Sequence, residues 1–433
     1  MMKKVCVIGA GSSGITACKA LMEEGVDFDC YEKGSGIGGN WRYNNDNGMS
    51  SAYRSLHINT NREVMSYSDF PMPAEYAMFP HHTEILQYFE NYVDHFGIRK
   101  YIIFNTGVEN VEKLNDKGYK ITLSNGSIEE YEHVLVANGH HWNPRYPTPA
   151  IPGQFTGETL HVHHYRTPEV LDNKSVVVLG IGNSGVDIAC EAAKLHTCKQ
   201  VSIATRSGAY ILPNWLGSIP FDKLASPITA KLPLALQRFL LNISLNLAQG
   251  NQEAFGVPKP KRPLLSEHPT VSQDLLNLCG RGLIKIKPNI KKFEGKKIIF
   301  DDGSSQETDL LVYATGYKIT FPFFKKDFIN VEDNNDLQLY KRVVHPDFKG
   351  LYFLALIQPL GAIMPLAEIQ SKWVAKLISG KVTLPSKEAQ LKAIETEVKA
   401  NKKRYKDSPR HTIQVDFFTY KFAIEKEMKK MKV

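Results

Sequence analysis

The sequence predicts an α/β protein with two units built on one plan, the second inserted into the first, and three observations carry that reading. A short apolar run, a glycine-rich turn and an amphipathic helix occur in that order twice, starting at Val5 and at Val176. Each copy closes on a second short apolar run. The stretches after the second copy again read as strands and helices, so the first unit resumes there and ends with the chain. Strand, glycine turn, helix and strand together make the plan of a Rossmann-like dinucleotide-binding domain. A length of 433 residues accommodates two or three such domains.

The elements follow in order. Val5-Cys6-Val7-Ile8, a short apolar run bounded by glycine, predicts the first strand. Gly9-Ala10-Gly11-Ser12-Ser13-Gly14 then opens a helix that places Ile15, Cys18, Leu21 and Met22 on one face. Phe28 to Tyr31 predicts the closing strand, which ends on Glu32. After a loop-rich region, Val108 to Leu114, Tyr119 to Leu123 and His133 to Val136 predict a β-meander and a returning strand. In the second copy Val176 to Leu179 leads into Gly180-Ile181-Gly182-Asn183-Ser184-Gly185 and a helix carrying Val186, Ile188, Ala189 and Ala193. Its closing strand, Val201 to Thr205, ends on Arg206. Lys297 to Phe300, Leu310 to Tyr313 and Leu351 to Leu356 predict further strands, and residues 386–432 a helical, charged tail.

Composition excludes several classes. Apolar, charged, glycine and proline contents are those of a globular chain, not of a disordered or disulfide-stapled one. The cysteines, Cys6, Cys18, Cys30, Cys190, Cys198 and Cys279, stand singly, without zinc-knuckle or dithiol spacing, and suit a reducing cytoplasm. The net charge of +8 includes a lysine-bearing tail, Lys402, Lys403, Lys426, Lys429, Lys430 and Lys432, read as a solvated surface, since no base-reading motif accompanies it. The apolar run after Lys3 and Lys4 is too short for a signal peptide. Leu351 to Ala367 is interrupted by Gln358, Pro359, Gly361 and Pro365, and falls short of the ~20 apolar residues of a spanning helix.

The two glycine turns carry the chemistry. A dinucleotide diphosphate needs close backbone approach and unpaired N–H groups at a helix N-terminus, which glycine at the first, third and sixth positions permits. The ends of the closing strands separate the two ligands. An acidic side chain there accepts hydrogen bonds from ribose hydroxyls and repels a 2′-phosphate, so Glu32 suits FAD. At the matching place stand Thr205, Arg206 and Ser207, and a guanidinium beside hydroxyls favours NADPH over NADH. A surface ion pair is the alternative for Arg206.

The linker Phe155-Thr156-Gly157-Glu158-Thr159-Leu160-His161-Val162-His163-His164-Tyr165 resembles the F-x-G-x-x-x-H-x-x-x-[YF] sequence of flavin-containing monooxygenases. The resemblance covers nearly the whole chain, with Gly36-Ile37-Gly38-Gly39-Asn40-Trp41 similar to the family's second FAD segment, Asp69-Phe70-Pro71 to its loop and Ala314-Thr315-Gly316-Tyr317 to its late segment. It implies FAD on Gly9 to Gly14, Glu32, Gly39, Asn40, Trp41, Asn59 and Thr60, and NADPH on Ile58, Asn59, Gly180, Gly182, Asn183, Ser184, Gly185, Val186, Asp187 and Arg206, with Thr315 and Gly316 also at the cofactors. It makes Asn59, ahead of Arg62-Glu63, the catalytic residue that hydrogen-bonds the flavin edge and the nicotinamide; a turn-capping asparagine is the alternative. Ser12 departs from a proline frequent in the family's first turn. Tyr165-Arg166 stands where Baeyer–Villiger relatives carry a Trp, which disfavours ester formation from ketones.

The expected activity is therefore NADPH-dependent formation of a C4a-hydroperoxyflavin that oxygenates soft nitrogen or sulfur in a small molecule. A Baeyer–Villiger monooxygenase and an NADPH oxidase releasing hydrogen peroxide remain alternatives, and a nucleotide-bound redox sensor without turnover is a reading from another class. The expected domains are FAD-binding residues 1–165, NADPH-binding residues 166–305, and a second FAD-binding part, 306–433. The expected partners are an amine or sulfide and O2, with no metal, nucleic acid or membrane; a homodimer stays open. The chain lacks the C-terminal hydrophobic segment of animal microsomal members, hence the expectation of a soluble, cytoplasmic protein. His57, His81, His82, His140, His141, His161, His163 and His164 show no metal-ligand spacing, and His161 reads as a structural hinge residue. Ile211 to Pro220 and Leu356 to Pro365 are candidate pocket walls, with a core role as the alternative.

Overall fold

The structure, a computed structural model, describes residues 3–114, 118–195, 197–331, 337–405 and 412–430; Lys432 of the charged tail lies outside them. It divides into two compact units. Met1–Ala52, Leu56–Asn143 and Lys318–Val433 form the first, and Tyr53–Ser55 with Pro144–Tyr317 the second.

In the first unit a seven-stranded sheet runs Ile102–Ile103, Phe28–Tyr31, Lys3–Ile8, Ile128–Val136, Gly118–Leu123, Val108–Leu114, with Leu351–Phe353 also paired to Ile128–Val136. Lys3–Ile8 is parallel to both neighbours, in register Val5↔Phe28 and Val5↔His133. Val5, Cys6 and Val7 are fully buried, as a strand covered on both faces requires. The meander is antiparallel and alternates in burial, one face to the core. Helix Ser12–Glu23 buries Ile15, Cys18 and Leu21 and packs against Met364–Ile378, whose Trp373 is fully buried.

Two expectations are corrected here. The strand expected over Leu351 to Leu356 stops at Phe353, because Ala355 adopts φ 55°, incompatible with extended backbone. In the stretch Leu356 to Pro365, Leu356, Ile357, Ala362 and Met364 are buried in the hydrophobic core, the alternative weighed for it. The tail is not wholly helical: between helices Lys387–Arg404 and Phe417–Met428, strand Gln414–Asp416 pairs in parallel with Gln358–Leu360.

The second unit holds a five-stranded, wholly parallel sheet in the order Ile284–Lys287, Gln200–Ala204, Ser175–Leu179, Leu310–Tyr313, Glu158–His161. This moves the boundaries. Residues 144–165 and 306–317, expected with the first unit, belong to the second, since Leu310–Tyr313 pairs with Ser175–Leu179 on one side and Glu158–His161 on the other. A second sheet, Ser305–Glu307, Lys297–Phe300, Ile290–Gly295 and Gly153–Phe155, buries Ile298 and Phe300.

Candidate functional site: two glycine turns

Both turns are built by backbone contacts that exclude side chains. Gly9 takes φ 99° and donates its N–H to Tyr31 O at 2.8 Å; a Cβ there would lie 2.9 Å from Ala137 O. A Cβ on Gly14 would lie 1.8 Å from Gly9 O, so only glycine lets the helix start this close to the strand end. The second turn repeats the arrangement. Gly180 takes φ 124°, its N–H donates to Ala204 O at 2.9 Å, and a Cβ would meet Ala314 O at 2.4 Å; one on Gly185 would meet Gly180 O at 2.5 Å.

The glycines at the third position of each turn differ in kind. Gly11 and Gly182 are the N-caps of helices Ser12–Glu23 and Asn183–Lys194, and neither helix has a side-chain cap. Their first-turn N–H groups carry the positive end of the helix dipole, which suits an anion. A Cβ on Gly11 would meet nothing nearer than Gly39 Cα at 3.6 Å, an ordinary contact. Protein packing alone therefore does not demand glycine at this position.

Around the first turn, Glu32 is 3% exposed and accepts from Ala10 N–H at 2.8 Å, Gly34 N–H at 2.9 Å and Asn47 Nδ2 at 3.1 Å. A carboxylate has about four acceptor positions, so one remains for a ligand hydroxyl. Gly38 N–H donates to Ala10 O at 3.1 Å and seats the short helix Gly39–Trp41 on the turn. Asn40 Oδ1 accepts from both N–H and Oγ of Ser51 (2.8 and 2.9 Å), and Trp41 is partly buried against the core. Ser13 is buried, and Ser12 O accepts the hydroxyl of Tyr67 at 2.8 Å.

Ile58 and Thr60 are buried, whereas Asn59 between them is exposed. The turn-capping role weighed for Asn59 belongs to Asn61, whose Oδ1 accepts from Glu63 N–H (3.0 Å) and Val64 N–H (3.1 Å) and caps helix Arg62–Met65. Asn59 keeps both amide groups outside the side-chain hydrogen bonds of the described residues.

Around the second turn, Val186 is buried, Asn183 Oδ1 accepts Val271 N–H at 2.8 Å, and Asp187 Oδ2 accepts the Tyr53 hydroxyl at 2.6 Å. Ser184 is half-buried. Thr205 Oγ1 accepts Gly208 N–H at 3.1 Å, and Arg206 and Ser207 are exposed. Thr315 Oγ1 donates to Arg145 O, and Gly316, at φ 83°, accepts Arg145 N–H at 2.9 Å.

The sequence reading missed Ala137-Asn138-Gly139. Ala137 O packs on Gly9 as Ala314 O packs on Gly180, and Gly139 (φ 70°) matches Gly316. The signal was present, an Ala-x-Gly directly after the returning strand of each unit. Among the histidines, His161 is 1% exposed, its Nδ1 accepts His163 N–H at 3.1 Å, and burial pushes its pKa down to about 4. Burial thus favours its neutral imidazole. No cluster of three or more His, Cys, Asp or Glu placed to hold a metal occurs among the described residues.

A mixed sheet and a parallel sheet, each with a glycine turn and an uncapped helix start at its parallel strands, define a two-domain dinucleotide-binding fold. The sequence profile of flavin-binding monooxygenase-like proteins matches residues 2–431. Flavin-containing monooxygenase 5 of Rattus norvegicus is 40% identical over 96% of this chain and 80% of its own length. Flavin-containing monooxygenase 2 of Homo sapiens is 34% identical over 97% of this chain and 81% of its own. The S-allyl-L-cysteine S-oxygenase of Allium sativum superposes with a TM-score of 0.74 at 26% identity, covering 100% of this chain and 90% of that one. Cyclohexanone monooxygenase in its open form, at 18% identity and TM-score 0.70 over both whole chains, shares the fold. The chain belongs to the flavin-containing monooxygenase family, a family of oxygen-transferring flavoenzymes. Among the described residues no helix is long and apolar enough to cross a membrane.

Proposed function

We propose that the first glycine turn holds FAD, the second holds NADPH, and the enzyme transfers one atom of O2 to a soft nitrogen or sulfur of a small molecule. The observation that carries this reading is the duplicated cradle with unlike strand ends, Glu32 at one and Arg206 at the other. The turn Gly9 to Gly14 seats one diphosphate at the N–H groups of the helix start it opens, and Glu32 accepts from the adjoining ribose; Gly39, Asn40, Trp41 and Thr60 line the same cofactor. The second turn and the helix start it opens, Gly180 to Val186, seat the other diphosphate, with Asp187 next along that helix; Arg206 takes the 2′-phosphate, and Ile58, Thr315 and Gly316 complete the cofactor contacts.

Bound FAD supplies the two-electron relay and the activation of O2. The reaction balances as substrate, NADPH, O2 and a proton giving oxygenated substrate, NADP⁺ and water. Asn59, with a donor and an acceptor, holds the reacting rings in register and keeps their polar edges satisfied where water is excluded. Soft-atom oxygenation finds support in two similar proteins, the dimethylaniline monooxygenase [N-oxide-forming] 2 of Pan troglodytes at 34% identity and the S-oxygenase above. The free state of all six cysteines suits the cytoplasm. The test compares NADPH consumption with product for a tertiary amine, a thioether and a cyclic ketone. N-oxide or S-oxide in proportion to NADPH is expected; lactone from the ketone, or peroxide alone with every substrate, overturns the reading.

A further inference from the structure

Helix Asn183–Lys194 carries Asp187 and Glu191 one turn apart, and each is met by a buried tyrosine. Asp187 Oδ2 accepts the Tyr53 hydroxyl and Glu191 Oε2 the Tyr165 hydroxyl, both at 2.6 Å. Residues four apart share a helix face, so the two rings stand together, edge to face, with centroids 5.6 Å apart. Tyr53 is 6% exposed and Tyr165 fully buried. Burial, reinforced by these carboxylates, holds both phenols well above their ordinary pKa, so each remains a donor.

Tyr165 lies within the long stretch 144–317, but Tyr53 does not. It belongs to the three-residue excursion Tyr53–Ser55, which packs in the second unit while Ala52 and Leu56 on either side belong to the first. Tyr53 on Asp187 holds the excursion, as does Arg54, whose N–H donates to Arg166 O at 2.8 Å and whose guanidinium pairs with Glu169. The Arg54 pair is exposed on both sides and contributes little on its own. The Tyr53 bond is short, buried and charge-assisted. Asp187 sits five residues beyond the cap Gly182 of the second turn, and Asn59 four residues beyond Ser55.

We propose that Tyr53 is a positioning residue: its bond to Asp187 ties the helix of the second glycine turn to the segment leading to Asn59, so that a dinucleotide seated on that turn fixes Asn59. Asp187, expected to face the cofactor, serves here through its grip on Tyr53. The inference rests on the reading of the second turn and of Asn59 given under Proposed function.

The test uses full-length holoenzyme and hydrogen–deuterium exchange of residues 53–60 with and without NADP⁺. In the unaltered enzyme NADP⁺ slows exchange there. Tyr53→Phe and Asp187→Ala each abolish that ligand-dependent slowing, Asp187→Asn retains it because its amide oxygen still accepts the phenol, and Tyr53→Phe/Asp187→Ala is no worse than either single change. Peroxide released per NADPH rises roughly tenfold in Tyr53→Phe, the size expected for losing a hydrogen bond to a charged group. Tyr165→Phe, which removes the sister bond, lowers the melting temperature yet keeps the NADP⁺ response. If NADP⁺ binds but leaves residues 53–60 unprotected in the unaltered enzyme, or if Tyr53→Phe keeps the protection, the proposal is overturned. If NADP⁺ does not bind at all, the assignment of the second turn fails instead.

Discussion

The carboxylate of Glu32 accepts the N–H of Ala10 at 2.8 Å, joining the end of the second strand to the middle of the first glycine turn across 22 residues of chain. Glu32 therefore shapes the turn, and in the proposed FAD assignment it also presents an acceptor to a ribose. Its replacement by alanine removes three acceptor contacts at once, and hydrogen bonds to a charged group are worth about 1.5–3 kcal/mol each in net terms. Glu32→Ala is expected to purify with little FAD and to require at least tenfold more added FAD for full occupancy, read by flavin fluorescence. Unchanged affinity would show that the carboxylate only shapes the turn.

Gly11 and Gly14 should separate ligand space from packing space. Gly14→Ala cannot be accommodated, because its Cβ would overlap Gly9 O, and the expected result is insoluble or unfolded protein. Gly11→Ala meets only ordinary contacts, so circular dichroism and gel filtration should match the parent while bound FAD falls below a tenth. A Gly11→Ala protein with full flavin content contradicts the diphosphate assignment.

Two neighbouring asparagines divide in the same way. Asn61 caps a helix, and its change to alanine should cost about 1 kcal/mol of stability, a drop of roughly 2–4 °C in Tm. Asn59→Ala should leave Tm within a degree or so of the parent, surface changes being within about ±0.5 kcal/mol, and divert NADPH electrons to hydrogen peroxide. Equal Tm losses in both variants would give Asn59 a merely structural place.

The strands and both glycine turns were legible because they are local: an apolar run, a glycine that opens each turn at positive φ and a 3.6-residue periodicity are written in adjacent residues. The boundaries were not. That Glu158–His161 joins the sheet of Ser175–Leu179 depends on pairing with Leu310–Tyr313, about 150 residues away in sequence, a long-range choice that no local pattern encodes. Asn59 was identified through family resemblance, and only the structure showed that Asn61 takes the cap. Tyr53 was invisible for the same reason as the boundaries: nothing near it in sequence announces Asp187.

The buried histidine of the linker makes stability depend on acid. Burial lowers the pKa of His161 to about 4 in the folded protein, whereas in the unfolded chain it has its ordinary value near 6.5. Between those values the unfolded chain binds the extra proton, so stability is fully present above pH 6.5 and is lost as pH falls towards 4, by on the order of 3 kcal/mol from this residue. His133 and His345, also held near 4 chiefly by burial, act in the same direction. Thermal melts of His161→Asn should lose less between pH 6.5 and 4 than those of the parent; identical slopes would assign the acid lability elsewhere.

The central claim, that the twin turns hold a flavin and a phosphorylated nicotinamide, is tested most directly by anaerobic titration of the purified enzyme with NADPH, followed through visible flavin absorbance. The expected result is a yellow protein that bleaches stoichiometrically with NADPH, needs far more NADH, and loses that preference roughly thirtyfold in Arg206→Ala, about 2 kcal/mol for a charge-assisted phosphate contact. A colourless protein that takes up no FAD, or a flavin that NADPH leaves oxidised, would contradict it.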